Sequence, residues 1–330
     1  MLGVTATIPV GNYPDAVAVS PNSANAYVTN NLDNTVSVID TNPSSPTYNT
    51  VTLTIPVGHF PYGVAVSPDG TQLYVTNGED KTVWVIDTAT HAEKTVPVGN
   101  IPGEVAVSPD GAHLYVTNQS DNAVTVINTA TNNVTETVAV GALPFGVAVS
   151  PDGAHAYVTN TYGNTVSVID TNSSSPTYNT VTVTIPVGTY PYGVAVSPDS
   201  SLVYVTNGNN YTVSVISTAT NTVTETVAVG IIPAGVGVSP DGSRIYVTNS
   251  LAATVSVISN VFSWRWPDLV GELLGGVAVG GGGWLVIGDH FYKIPPRPLA
   301  MAIIARAAAP HLGSRIENRE LAEQLRNLLS

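Results

Sequence analysis

The side chains of this sequence that could bind a ligand are mainly aromatic and acidic. Most of them lie in a recurring VGxxP segment, directly after its proline, or in the turn that follows a recurring YVTN. Rigid rings beside carboxylates suit a carbohydrate or a protein partner. The alternative is that the VGxxP rings pack between neighbouring repeats. The candidate ligand-binding residues are Tyr13, Asp15, His59, Phe60, Tyr62, Glu104, Phe145, Tyr162, Tyr190, Tyr192 and Tyr211.

Two of these candidates, Asp15 and Glu104, carry carboxylates that a metal-dependent lactonase or lyase could use. If the repeats surround a channel, both residues lie near the start of strands that line it. An enzyme of this class needs several oxygen or histidine ligands at one point. Small residues stand at the positions equivalent to Glu104 in the other repeats: Ala16, Gly63, Gly146, Gly193 and Gly235. We therefore expect no metal site.

Nucleophilic and cofactor-dependent chemistry finds little support in the sequence. The chain has no cysteine, which excludes thiolate nucleophiles and thiolate metal ligands. No nucleophile elbow, HExxH, phosphate-binding loop or dinucleotide motif occurs in a supporting context. His59 is the one repeat histidine on the expected ligand face, and we expect no catalytic role for it. We expect no catalytic residues and no cofactor, haem included.

The charge of the chain is strongly acidic and unevenly distributed. Acidic residues outnumber basic ones 23 to 10, for a net charge of −13 at pH 7. A surface of that sign repels nucleic-acid phosphates and anionic lipid, so neither is an expected partner. Residues 1–260 hold 17 acidic and three basic groups, whereas residues 261–330 hold six and seven. This shift marks a boundary near residue 260.

The organising element is a repeat that carries YVTN at a regular interval. Its copies begin at Tyr27, Tyr74, Tyr115, Tyr157, Tyr204 and Tyr246. Intervals of this size, with Val- and Thr-rich segments between turn residues, are typical of propeller blades. In one unit, residues 104–108, 113–117, 123–128 and 134–140 read as four short antiparallel strands. SPDG supplies the first turn, because Pro presets φ, Asp binds nearby amides and Gly accepts positive φ.

With YVTN and SPDG recurring in register over residues 1–260, the chain resembles the YVTN family of β-propeller repeats. That family occurs in surface-layer and exported proteins of archaea and bacteria. The resemblance implies a propeller of about seven blades and an extracytoplasmic or cell-surface location. It implies no particular reaction, because the family is defined by its repeat. The first residues form no signal peptide, so we expect an export signal to lie outside this chain.

We predict an all-β propeller of four-stranded antiparallel blades with a short α-helical tail. Six blades follow from the clear repeats. Residues 276–279, 284–287 and 291–294 predict a degenerate seventh blade, and residues 4–10 a strand that closes the ring. The alternative is a six-bladed ring with the tail outside it. The predicted regions are propeller repeats (1–260), a degenerate blade or connecting segment (261–297) and a helical tail (298–330).

The region beyond residue 260 contains two further features. Residues 269–287 are apolar over a length that could span a bilayer, but Glu272 and seven glycines argue against membrane insertion. Residues 299–306 and 315–328 predict two short helices, and the second places leucines on one face. These faces either pack on the propeller or serve self-association or docking of a partner.

The sequence therefore favours a non-enzymatic binding or scaffold propeller of a surface or exported protein. Its ligand, a protein or a carbohydrate, would meet the VGxxP and post-YVTN loops. The alternative is a lactonase- or lyase-like enzyme with a site at the mouth of the channel. Several acidic side chains converging in the channel would favour the enzyme, whereas their absence would exclude its metal-dependent form.

Overall fold

The structure, a computed structural model, describes residues 6–259, 284–287 and 290–293. The chain separates into two compact units, Met1–Val261 and Phe262–Ser330. The described residues are strands and turns, apart from one 3-10 turn at Gln119–Asp121. None of them forms a helix with the length and apolar character that crossing a bilayer requires.

The first unit is a β-propeller of six blades, each an antiparallel sheet. Blades one to five have four strands each, and blade six has three among the described residues. The predicted all-β propeller of four-stranded blades is thus confirmed. The strands are β1 (Pro14–Val19), β2 (Asn25–Asn30), β3 (Thr35–Asp40), β4 (Val51–Pro56), β5 (Pro61–Val66), β6 (Gln72–Asn77), β7 (Thr82–Asp87), β8 (Glu93–Pro97), β9 (Pro102–Val107), β10 (His113–Asn118), β11 (Ala123–Asn128), β12 (Asn133–Ala139), β13 (Pro144–Val149), β14 (His155–Asn160), β15 (Thr165–Asp170), β16 (Val181–Pro186), β17 (Pro191–Val196), β18 (Leu202–Asn207), β19 (Thr212–Ser217), β20 (Thr222–Ala228), β21 (Pro233–Val238), β22 (Arg244–Asn249) and β23 (Thr254–Ser259).

Of the second unit, the structure describes one hairpin, in which β24 (Trp284–Ile287) pairs with β25 (His290–Lys293). The predicted strand at 284–287 is confirmed, and the next strand lies one residue earlier than predicted. The predicted strand at 276–279 and both tail helices lie outside the described residues. The predicted N-terminal strand is wrong over residues 6–10, which form no strand because they pair with no neighbour among the described residues. The seventh blade stays a prediction.

The SPDG turn, which blades two, three, four and six carry and blade five varies to SPDS, is closed by its own side chains. In blade two, Ser67 Oγ donates a 2.5 Å hydrogen bond to Asp69 and accepts a 2.9 Å bond from the backbone N–H of Gln72. Gly70 takes a φ of +76°, which strains any residue with a Cβ. Blades three to six repeat the Ser–Asp hydrogen bond. The motif therefore recurs because the turn requires it.

Consecutive blades pack through clusters of buried apolar side chains. In the YVTN segment of blade two, Tyr74 packs toward blade three and Val75 toward blade one. Alternate residues of a strand point to opposite faces, so one Tyr-Val pair serves both neighbours. Five such clusters join blades one to six in chain order.

Within the described residues, no such cluster joins blade six to blade one, and each of these blades has one uncovered face. Val17 of blade one is 65% exposed, whereas the equivalent Val64 of blade two is 7% exposed. Val255 of blade six is 56% exposed, whereas the equivalent Val213 of blade five is 0% exposed. An arc of six blades thus presents apolar sheet at both ends, a surface that soluble proteins rarely leave open.

Candidate functional site

The innermost strand of every blade contains a β-bulge directly after its proline. In blade two, Pro61 pairs with Asn77 and Val64 with Val75, so three steps along β5 match two along β6. The other innermost strands have the same irregularity. A bulge re-aims the side chains at its position. The first bulge residues are Asp15, Tyr62, Gly103, Phe145, Tyr192 and Ala234. The second are Ala16, Gly63, Glu104, Gly146, Gly193 and Gly235.

The threonine of YVTN holds each bulge and ties it to the next blade. In blade three, Thr117 Oγ1 accepts a 3.1 Å hydrogen bond from the N–H of Glu104 and donates a 2.7 Å bond to the carbonyl of Phe145. The equivalent threonines of blades one, two, four and five do the same. Thr248, in blade six, bonds only within its own blade among the described residues. This threonine contact sets the spacing of the strands around the channel.

Glycine dominates the second bulge position because the backbone of the next blade lies against it. A Cβ on Gly146 would overlap the carbonyl oxygen of Tyr192, and one on Gly193 would overlap that of Ala234. Gly235 of blade six has no such backbone neighbour. In blade three the order is reversed, so that Gly103 precedes Glu104 and a carboxylate side chain enters the channel wall there.

The carboxyl groups of Asp15 and Glu104 interact electrostatically in the channel, although they come from blades one and three. Burial raises the pKa of Asp15 to about 6. Burial, and secondly the charge of Asp15, raise the pKa of Glu104 to about 7. Asp15 is exposed and Glu104 half-buried, so both reach solvent, and the protein atoms around each carboxyl group still displace enough water to raise its pKa. Neither carboxylate has a hydrogen-bond partner among the described residues.

Three aromatic side chains accompany this pair. Phe145 and Tyr192, from blades four and five, stack with ring centroids 3.9 Å apart and planes 25° apart. Burial raises the pKa of Tyr192, and the charges of Asp15 and Glu104 raise it further. Burial and then Asp15 also raise the pKa of Tyr62. Five blades therefore contribute to one aromatic and acidic channel cluster: Asp15, Tyr62, Glu104, Phe145 and Tyr192.

The channel cluster contains two carboxylates, and a metal site needs more donors. Within residues 6–259, 284–287 and 290–293, no three His, Asp or Glu side chains are grouped as metal ligands would be. The two carboxylates offer at most four side-chain oxygens, fewer than the six to eight oxygens that surround Ca²⁺, and the cluster holds no histidine for a Zn²⁺ site. The side chains of the channel cluster alone therefore do not form a complete divalent-metal site.

The remaining aromatic candidates lie around the mouth of the channel. Tyr13, Phe60 and Tyr190 are exposed, occupy the same position of the VGxxP segment, and take φ values of 56°, 52° and 59°. Tyr162 and Tyr211, in post-YVTN turns, are exposed as well, and the rings of Tyr162 and Tyr190 are 6.0 Å apart. We call these five residues the rim aromatics. Tyr62, Phe145 and Tyr192 are buried or half-buried, whereas the rim aromatics are exposed.

An asparagine side chain of the preceding blade accepts a hydrogen bond from the backbone at two of these strained positions. The N–H of Phe60 donates to Asn34 Oδ1 at 3.0 Å, and the N–H of Tyr190 donates to Asn164 Oδ1 at 2.9 Å. Bulky residues with positive φ are uncommon, and such strain is often found at binding sites. The equivalent residues of the other blades are Ile101, Leu143 and Ile232, also with positive φ. The loop geometry is therefore common to all six blades, whereas an aromatic side chain at this position occurs among them only in blades one, two and five.

His59 is placed by a side-chain clip between two loops of its blade. Its backbone N–H donates to Asp80 at 2.8 Å, and its Nδ1 lies 2.9 Å from the other carboxylate oxygen. The hydrogen bond to Asp80, and then its charge, raise the pKa of His59. The same clip joins Asn12 to Asp33, Asn100 to Asp121 and Thr189 to Asn210. Since Asn and Thr replace His59 at this position, the clip is a structural contact.

Two features of the site were missed at the level of sequence. The bulge-holding threonine lay inside a motif interpreted as strand and turn. The clip has a detectable signal, because its two members are always 21 residues apart and the second is always Asp or Asn. In blade four the two equivalent positions are Ala142 and Gly163, and neither residue has a polar side chain that could form the contact.

Comparisons with known proteins agree with the fold. Residues 4–144, less than half of the chain, match the family described as Lactonase, 7-bladed beta-propeller. No curated protein matches the chain. Among solved structures, one titled Kuenenia stuttgartiensis Hydrazine Synthase aligns with a TM-score of 0.54 at 20% identity, over 79% of this chain and 99% of that one. A functionally unknown protein from Desulfotomaculum acetoxidans DSM 771 aligns with a TM-score of 0.61 at 19% identity, over 72% and 79% of the two chains. At these identities the likeness concerns the fold alone.

Proposed function

We propose that this chain is a non-enzymatic binding propeller of the YVTN repeat type, belonging to a surface or exported protein. The observation that carries the proposal is the set of rim aromatics, which share one end of the propeller. Tyr13, Phe60 and Tyr190 project from loops whose backbone is restrained, so binding costs them little conformational entropy. Exposed rings next to polar turn residues suit a carbohydrate first and a protein partner second.

The test is binding of soluble glycans, measured by glycan array and then by calorimetry. Replacing Tyr13 or Tyr190 with alanine is expected to reduce the affinity by about tenfold or more, as for an aromatic anchor of an interface. The matched control is Tyr48→Ala. Tyr48 is 46% exposed, like Tyr211 at 45%, but lies between β3 and β4 at the opposite end of the blade. Equal losses in Tyr190→Ala and Tyr48→Ala would contradict a site at the rim.

We also propose that a seventh blade completes the ring, with the segments 276–279, 284–287 and 291–294 as its strands. The uncovered apolar faces of blades one and six support this proposal, because closure of a ring buries such faces and removes sheet edges. Self-association through helices in residues 298–330 and an extracytoplasmic location complete the proposal, and both rest on the sequence pattern.

A lactonase- or lyase-like activity is the second candidate. It is supported by the family match over residues 4–144 and by the carboxyl group of Glu104, whose raised pKa suits a general acid or base near neutral pH. Turnover of aliphatic lactones that is lost in Glu104→Gln and kept in Glu136→Gln would establish it. Glu136 lies exposed on the outer strand β12. If the native chain turns over lactones no faster than Glu104→Gln does, the result contradicts the lactonase candidate and favours the binding module.

A further inference from the structure

The channel cluster contains negative charge that no basic residue compensates among the described residues of the first unit. The described part of the first unit has three basic residues, Lys81, Lys94 and Arg244. None of them appears among the influences on the pKa of Asp15 or Glu104, and neither carboxylate forms an ion pair among the described residues. Two like charges without a partner repel each other. A positively charged ligand would relieve that repulsion.

The walls of the cluster decide which kind of cation fits. Tyr62, Phe145 and Tyr192 occupy the first bulge position of three innermost strands, and the rings of Phe145 and Tyr192 are stacked. Aromatic faces attract organic ammonium groups, and this attraction is strongest where the site is partly desolvated. A small metal ion is bound by oxygen ligands and its own hydration waters, and the rings add nothing to such a shell. The combination of rings and carboxylates therefore suits an ammonium group carried by carbon.

We propose that the channel binds an organic ammonium group, methylated or primary, between the aromatic rings and the carboxylates of Asp15 and Glu104. The channel opens beside the rim aromatics, so the proposal rests on the proposed binding function and gives the chemistry of its deepest subsite. The ligand would carry a cationic end in the channel and a polar body on the rim.

The geometry of the bulges explains why this site exists once in a molecule built from repeats. Asp15 replaces an aromatic residue at the first bulge position, and Glu104 replaces glycine at the second. All other members of these positions are aromatic, alanine or glycine. Asp15 and Glu104 thus depart from the repeat pattern, and the fold of the repeat does not require a carboxylate at either position.

The test uses the full chain and titration calorimetry at pH 8 with choline and tetramethylammonium as probes. The neutral isostere of choline, 3,3-dimethylbutanol, is the ligand control. We expect both cations to bind and the isostere to bind at least about tenfold more weakly, because it lacks the charge. Failure of both cations to bind at millimolar concentration, or equal binding of the isostere, would overturn the proposal.

Variants locate the site. Asp15→Asn, Glu104→Gln and Tyr192→Leu are each expected to weaken choline binding by about tenfold, whereas Glu136→Gln leaves it unchanged. Asp15 is exposed, so its variant tests the proposal even if Tyr192→Leu fails to fold. Competition by millimolar CaCl₂ that is lost in Asp15→Asn would instead indicate a metal site.

The rim variants keep this proposal separate from the first one. Tyr211→Ala is expected to weaken glycan binding and to leave choline binding intact, because Tyr211 is exposed on the rim and has no part in the electrostatic interactions of the channel cluster. Choline binding without glycan binding refutes the rim proposal alone. Glycan binding without choline binding refutes the channel proposal alone.

Discussion

Thr117 Oγ1 donates a 2.7 Å hydrogen bond to the carbonyl oxygen of Phe145, and this contact joins blade three to blade four at the channel. The same hydroxyl accepts the N–H of Glu104, so one side chain holds both the bulge and the neighbouring strand. The positions of Glu104 and Phe145 in the channel cluster therefore depend on a threonine that belongs to the most repetitive motif of the chain.

Removal of this hydroxyl should destabilise the propeller. Thr117→Val keeps the shape of the side chain but leaves a buried N–H and a buried carbonyl without their partner, a loss of about 1–3 kcal/mol in the free energy of unfolding. Thr137→Val is the control, because Thr137 lies exposed on the outer strand β12, its hydroxyl holds no other blade among the described residues, and its loss is expected to change that free energy by less than about 0.5 kcal/mol. Urea denaturation measures both, and equal effects would show that the interblade contact contributes no stability.

Glu104 should make the protein less stable as the pH rises. The pKa of Glu104 is raised from 4.5 in the unfolded chain to about 7 in the folded one. The folded state therefore binds more protons between these values, and stability falls as the pH rises through that interval. Glu104→Gln should be more stable than the native chain by roughly 1–3 kcal/mol at pH 8 and nearly equal to it at pH 4. Thermal unfolding at both pH values measures this, and Glu136→Gln, expected to show no such difference, is the control.

Choline binding should strengthen as the pH rises from 5 to 8. The carboxyl groups of Asp15 and Glu104, with pKa values of about 6 and 7, are partly protonated below pH 6 and ionised at pH 8. A cation bound between them favours the ionised forms, so binding should release protons near pH 6.5. Calorimetry in buffers of different ionisation enthalpy measures this release. A pH-independent affinity would place the cation away from the two carboxylates.

The glycines of the second bulge position report whether a seventh blade is present. Gly193→Ala should be strongly destabilising, by about 2 kcal/mol or more, because its Cβ would overlap the carbonyl of Ala234 in the next blade. Gly235→Ala has no such neighbour among the described residues. If a seventh blade packs against β21, both substitutions should lower the unfolding midpoint in urea to a similar extent. A Gly235→Ala chain as stable as the native one would refute closure of the ring on that side.

The clip at His59 should be visible in the titration of that residue. Asp80 raises the pKa of His59 through a hydrogen bond and its charge, so Asp80→Asn should lower that pKa. The chemical shifts of the imidazole protons measure the change, and Asp33→Asn, which breaks the equivalent clip in blade one, should leave it unaffected. His59→Asn should preserve the loop, as the clips at Asn12 and Asn100 show.

The sequence determined the features that arise within one repeat. Alternation and turn chemistry over a few residues predict the four strands of a blade and its SPDG turn, and the structure contains both. The same alternation directs Tyr74 toward one neighbouring blade and Val75 toward the other. The strand predicted for residues 4–10 was wrong over 6–10, because a strand requires a partner edge that its own residues do not supply.

The tertiary structure alone decided which of the varying residues meet. Asp15 and Glu104 lie in different blades and at different positions of the repeat, so no pattern of spacing pairs them. The bulges, the YVTN threonines and the close approach of consecutive innermost strands bring them into one channel with Tyr62, Phe145 and Tyr192. The repeat can be predicted from the sequence because interactions between residues close in the chain form it. The channel forms only when several blades pack side by side, because it depends on their arrangement around one axis.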